Sequence, residues 1–168
     1  MLLVVDIDGV LADIRPLLPL IKADERGRKD FTAYDALIET AQPIPQGIEL
    51  LKLLMLHYGP CFGNHQGVVF ITGRKESSHD ETQRWLVKHL TTDCKYKPLL
   101  MRPRKCWEPA WKVKERHVLA LQQQGRWVSG RVIAIEDDAQ CCAMYRKHGA
   151  YVLQAHNDAS RSNGAENE

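Results

Sequence analysis

Leu2-Leu3-Val4-Val5-Asp6-Ile7-Asp8-Gly9-Val10 is the stretch that decides the fold. Four consecutive apolar residues stop abruptly at two aspartates and a glycine. A run that is apolar on both faces reads as a strand buried in a parallel sheet, with helices on either side. Its carboxyl end delivers Asp6 into a loop, where open α/β sheets hold their chemistry. Asp6 and Asp8 can face one ligand if the chain leaves extended geometry there, and Gly9 lets the backbone turn close to it. Such a pair can bind a hard cation, which prefers oxygen, and can divide the work of nucleophile and proton donor. Taken alone, a DxD turn is more often a helix cap, so its meaning depends on the rest of the chain.

The same pattern recurs twice. Residues 68–71 end in Thr72, Gly73 and Arg74, and residues 132–135 end in Glu136, Asp137 and Asp138. Helical periodicity covers 46–57, 80–90, 110–123 and 139–148, with Gly149 as a stop before a strand at 151–153. Strands alternating with helices predict an α/β fold: a doubly wound, Rossmann-like parallel sheet flanked by helices. The 168-residue length and 44% hydrophobic content suit one domain, expected over 1–155. Within it, 14–42 reads as a small cap or irregular segment. The small, polar stretch 156–168 reads as a disordered tail.

Lysine and arginine number 23 against 21 aspartates and glutamates, so net charge does not call for a polyanionic partner. A local basic surface is available from Lys95, Lys97, Arg102, Arg104, Lys105, Lys112, Lys114 and Arg116, most of which individually read as solvated. Five cysteines (Cys61, Cys94, Cys106, Cys141 and Cys142) form no CxxC pair, and their odd number argues against a secreted disulfide framework. A reducing cytoplasm is the expected compartment. The apolar start is too short for a signal peptide and is broken by Asp6 and Asp8, so no membrane association is expected. Cys61 and His65 lack partners for a zinc site, and Cys141 and Cys142 read as small packed hydrophobes. His79 and His117 receive no role.

In this context VVDIDGVLAD resembles the first motif of haloacid dehalogenase (HAD) superfamily phosphatases. Phe70-Ile71-Thr72-Gly73-Arg74 is similar to their second motif, Lys114 sits where the family places a lysine, and Ile133 to Asp138 resembles the acidic fourth motif. A nearer likeness is to the 3′-phosphatase domain of phage polynucleotide kinase/phosphatase and small phage-type HAD proteins. It is carried by Asp30 to Tyr34, Thr72-Gly73-Arg74 before a helix with Trp85, Val113-Lys114-Glu115, and Met144 to Gly149. The resemblance implies an Mg²⁺-dependent phosphomonoesterase in which Asp6 is nucleophile and Asp8 general acid/base. Thr72 and Lys114 would hold the phosphoryl oxygens. The Mg²⁺ would be bound by Asp6, the Asp8 carbonyl and Asp137 or Asp138, with Glu136 beside them. Lys112 stays open as the alternative to Lys114. Gly73 and Arg74 are the expected substrate-binding residues. Dehalogenase relatives lack the second aspartate, and the chain has no GxxxxGK[ST] loop for a P-loop kinase.

The expected partner is a phosphorylated nucleotide or a nucleic-acid end, in a host cytoplasm if the chain is phage-encoded. A small-metabolite (sugar phosphate) phosphatase and a non-catalytic nucleotide-binding module are the alternatives. Trp107 and Trp111 could stack on a base, although aromatics at that spacing are expected to cover the core. Oligomeric state is not legible.

Overall fold

A computed structural model describes residues 1–23, 29–58, 67–90 and 97–156. Cys61, His65, Cys94, Lys95 and the tail from 157 onward lie outside the described residues. In chain order the elements are β1 (Leu2–Val5), β2 (Ala12–Asp13), β3 (Lys22–Ala23), β4 (Lys29–Asp30), α1 (Thr32–Leu37), β5 (Gln42–Pro43) and α2 (Pro45–Tyr58). They continue with β6 (Val68–Lys75), α3 (His79–His89), β7 (Leu99–Arg102), α4 (Ala110–Gln123), β8 (Val132–Glu136), α5 (Ala139–Lys147) and β9 (Tyr151–Gln154).

Five strands form one parallel sheet in the order β7-β6-β1-β8-β9. β1 lies at its centre, with Val4 beside Val69 on one flank and Ala134 on the other. Side-chain alternation divides the core between the faces. Leu3, Val5, Val68 and Phe70 pack with Ile48 and Leu51 of α2 and with Trp85 and Leu86 of α3. Leu2, Val4, Val69, Ile71, Val132 and Ala134 pack with Val118 and Leu121 of α4 and with Met144 and Tyr145 of α5. Every residue of β1 is buried, which is why its sequence is apolar without interruption. The chain winds from β1 towards β7 and then crosses to β8 and β9, so winding reverses at β1. That reversal opens a crevice at the carboxyl ends of β1 and β8.

Two features of the sheet depart from the sequence-based expectation. The second strand runs on to Lys75, so Thr72, Gly73 and Arg74 lie within β6 rather than beyond it, with a register shift against β7 between Ile71 and Lys75. β7 was not anticipated, because its apolar stretch is only Leu99 to Met101, set between Pro98 and Pro103 in a run otherwise rich in basic residues. At the sheet edge it needs one partner, β6, so a short segment suffices.

The described residues between 12 and 43 form α1, two short antiparallel pairs (β2 with β5, β3 with β4) and 3-10 turns. Leu17, Tyr34, Ile38 and Ala41 are buried in the same cluster as α2 and α3. Trp85 Nε1 donates to the Ala41 carbonyl at 2.7 Å, pinning this segment to the core. The tryptophans divide differently from expectation. Trp107 is 63% exposed, overturning the core reading, because its loop projects from the sheet edge between β7 and α4. Trp111, the second residue of α4, packs partly buried against the second cluster. Cys141 and Cys142 are buried, as expected. Among the described residues no helix is long and apolar enough to cross a membrane.

Candidate active site

The end of β1 places Asp6 at the crevice with its carboxylate almost wholly buried. Asp6 Oδ1 accepts from the Ile7 N–H at 2.8 Å, while Oδ2 pairs with Lys114 Nζ at 2.8 Å. Lys114 comes from α4, where it shares a face with Val118 and Leu121, and is itself buried. Its ammonium also reaches Glu136 Oε2 at 2.6 Å. Lys112 is exposed and lies 5.4 Å from the Trp111 ring, so Lys114 is the lysine brought to Asp6.

Glu136 ends β8, and alternation along Val132, Ala134 and Glu136 turns its side chain towards α4 and Lys114. Its other oxygen, Oε1, accepts from the N–H groups of Asp137 and Asp138, both at 3.2 Å. Asp137 then turns to the opposite side, over Gly9. Carboxylate oxygens of Asp6, Glu136 and Asp137 lie within 4.8 Å of one another. Asp138 is not brought into this group. It is exposed, and its Oδ1 caps α5 by accepting from the Cys141 N–H at 2.8 Å.

Asp8 faces the adjoining side. Arg74 grips its Oδ1 through Nε at 2.9 Å and through the terminal nitrogen at 2.6 Å, while Tyr34 Oη donates to Oδ2 at 3.3 Å. Arg74 is buried, and its other terminal nitrogen donates to Thr82 Oγ1 at 3.3 Å. Burial opposes the guanidinium charge, but the Asp8 carboxylate outweighs it and holds the Arg74 pKa above its ordinary value. Arg74, expected as a substrate contact, is therefore mainly committed to orienting Asp8, although it also lines the cleft with Gly73. Thr72, two residues before Arg74, is fully buried, with Oγ1 accepting from the Arg74 N–H at 3.2 Å.

Three carboxylates facing one ammonium leave an excess of negative charge in a buried site. Burial raises the Asp6 pKa, and Glu136 raises it further against the opposing effect of Lys114. Burial and then Asp6 push Asp137 up to about 6. Lys114 stays protonated, because Asp6 and Glu136 outweigh the burial that would discharge it. A hard divalent cation fits this donor set by charge and by its oxygen chemistry.

The sign of the resulting pH dependence follows. A carboxyl whose pKa is higher in the folded state than in the unfolded chain binds more protons when folded, so stability falls as pH rises through the interval between the two values. For Asp137 that interval runs from about 4 to about 6. In chelator, the thermal midpoint is expected to fall between pH 5 and pH 7. Added Mg²⁺ is expected to raise the midpoint more at pH 7 than at pH 5, as differential scanning fluorimetry would show.

Gly9 has φ +75°, and a Cβ there would lie 2.0 Å from Asp137 Oδ2. The absence of a side chain is thus what admits Asp137 to the site. Gly9→Ala is expected to cost about 2 kcal/mol or more and to weaken Mg²⁺ binding. Gly125→Ala is the control: φ is +67° but nothing lies within 4 Å of the new methyl. Urea unfolding should show the smaller loss there, with Mg²⁺ binding retained.

Tyr34 was not singled out as a site residue. It lies 26 positions from Asp8, and no local pattern signals the contact. Glu136 was placed only beside the site, although the alternation of its strand could have directed it to α4.

No family model and no curated protein sequence matches the chain. Comparison with solved structures shows a fold shared with haloacid dehalogenase-like proteins. A chain of a Pnkp1/Rnl/Hen1 complex is similar with TM-score 0.63 and 19% identity over 92% of this chain. A haloacid dehalogenase-like hydrolase from Streptococcus pneumoniae is similar with TM-score 0.58 and 15% identity, over 94% of this chain and 87% of that one. The present chain spans 44% of the length of the first neighbour.

Proposed function

We propose that the protein is an Mg²⁺-dependent phosphomonoesterase that works through an aspartyl-phosphate and acts on nucleotides or the 3′-phosphate ends of nucleic acid. The observation that carries this reading is the pairing of Asp6 with Lys114 at 2.8 Å beside the carboxylates of Glu136 and Asp137. A structural ion pair would not need two more acids at the same buried point. The nucleotide assignment draws on the sequence resemblance and on a cleft of about 900 Å³ bordered by Lys29, Lys75, Arg102, Phe31 and Trp107.

Asp6 attacks phosphorus, a bond forms from its carboxylate oxygen, and the ester P–O bond breaks. Asp8 in its protonated form gives that proton to the departing oxygen and, as the carboxylate paired with Arg74, then takes one from the water that displaces the aspartyl group and releases inorganic phosphate. The Arg74 and Tyr34 contacts hold Asp8 in one orientation for both transfers. Lys114 holds Asp6 in place and supplies positive charge near the equatorial oxygens, with Thr72 as a hydrogen-bond donor. Asp6 and Asp137 would hold Mg²⁺, joined by the Asp8 carbonyl and with Glu136 alongside; the cation offsets repulsion between nucleophile and phosphate.

Phosphate release should be measured with and without Mg²⁺ on 3′-phosphorylated oligonucleotides, 3′- and 5′-mononucleotides and sugar phosphates. Mg²⁺-dependent release that favours the nucleotides is expected. Release favouring sugar phosphates would overturn the substrate class, and no release from any member would overturn the enzyme.

A further inference from the structure

The cleft that begins at Asp8 ends in two aromatic rings that approach the same ammonium. Lys75 Nζ lies 4.7 Å from the centroid of Phe31 and 4.8 Å from that of Trp107. Phe31 comes from the segment before α1, and Trp107 from the loop before α4, so elements on opposite sides of the cleft meet around the end of β6. Trp107 is nevertheless 63% exposed. A large indole left in water at a cleft mouth is poorly explained by a lysine contact alone, since cation–π attraction is weak where solvent reaches it.

Both walls are fixed by the catalytic side of the molecule. The Trp107 loop is tied down by Arg102, which donates to the carbonyls of Gly73 and Glu108, and by an ion pair between Arg116 and Glu108. Phe31 packs edge-on against Tyr34 at 6.0 Å, and Tyr34 holds Asp8. A flat ligand entering here would meet preorganised surfaces already in register with the acid/base, which lowers the ordering cost of binding.

We propose that Phe31 and Trp107 are a clamp for the nucleobase attached to the scissile phosphate, with Lys75 occupying the slot until a base displaces its ammonium. This rests on the phosphatase reading above and deepens it: the substrate is recognised by a planar heterocycle as well as by its phosphate. Stacking on π-faces accepts any base, so discrimination among the four is expected to be slight. Lys75, on a flexible stem, remains next to the anionic substrate after displacement.

The test compares a 3′-phosphorylated dinucleotide and a nucleoside 3′-monophosphate with counterparts carrying an abasic tetrahydrofuran sugar. Wild type is expected to favour the base-bearing member by roughly ten-fold or more in kcat/KM, expressed mainly in KM. Trp107→Ala should bring that ratio close to one, and Trp107→Phe should restore most of it. A preference seen with both substrates places the base at the reacting nucleotide; one seen only with the dinucleotide would overturn that placement. Equal turnover of base-bearing and abasic members, or a ratio unmoved in Trp107→Ala, would sink the clamp while leaving the phosphatase intact. Binding is read separately, by quenching of tryptophan fluorescence as nucleoside 3′-monophosphate is added to the Asp6→Asn protein. Quenching that disappears in Asp6→Asn/Trp107→Phe supports the clamp even if no substrate is turned over, whereas its absence in Asp6→Asn overturns the clamp.

Discussion

Asp6→Asn is expected to abolish phosphate release, with kcat lowered on the order of 10⁵-fold, as removal of a nucleophile does in well-characterised covalent catalysis. The substitution is close to isosteric, so the packing of β1 is preserved. The amide is a poor nucleophile, and one of its two positions must be NH₂. With oxygen kept on the Ile7 N–H, that NH₂ would face Lys114 Nζ, which now lies 2.8 Å from Asp6 Oδ2. Two donors would then meet. Asp8→Asn provides the contrast: it removes proton transfer but leaves Asp6, Lys114 and Asp137 in place. It should retain binding of Mg²⁺ and of a phosphorylated substrate while turning over slowly. Quench-flow with ³²P-labelled substrate would distinguish them, since only a protein with Asp6 can carry label. Normal turnover by pure Asp6→Asn would remove the covalent mechanism altogether.

Lys114→Met should produce the second-largest effect, and in two separable quantities. Turnover is expected to fall about 10²- to 10³-fold, the usual consequence of losing a preorganised charge at a transferring group. Stability is expected to fall as well, because methionine fills the volume but leaves Asp6 and Glu136 buried without their shared cation. Removing one partner of a buried pair costs about 3 to 5 kcal/mol. The loss should be greatest at pH 8 and should shrink at pH 5. Both carboxyls are already biased towards the protonated form, chiefly by burial, and lose their opposing lysine in the variant. Stability therefore decreases as pH rises through their raised values. Mg²⁺ should restore part of it by supplying positive charge to the same oxygens. Urea denaturation at the two pH values, with Mg²⁺ and with chelator, measures each component. A variant as stable as wild type at pH 8 in chelator would show that the carboxylates do not depend on Lys114.

The sequence by itself determined the central strand, the order of the motifs and the identity of the acids that end them. Those features are local: a run such as Leu2–Val5 is apolar at every position because both its faces are covered, and the change to Asp6 marks where the strand ends. The four sequence-predicted helices, centred on α2, α3, α4 and α5, were legible for the same reason, since each must lay an apolar stripe on a sheet face. The choice between Lys114 and Lys112 required the rotation of α4, which Val118 and Leu121 set by packing on the sheet. The choice among Glu136, Asp137 and Asp138 required the point at which β8 ends. Extended geometry directs Glu136 towards α4, the turn brings Asp137 over Gly9, and the start of α5 consumes Asp138 as a cap. Tyr34 on Asp8, Arg74 committed to Asp8, and Phe31 facing Trp107 across Lys75 were decided only by tertiary structure. Each joins segments distant in the chain through side-chain ends, and residue spacing carries no information about where such ends meet.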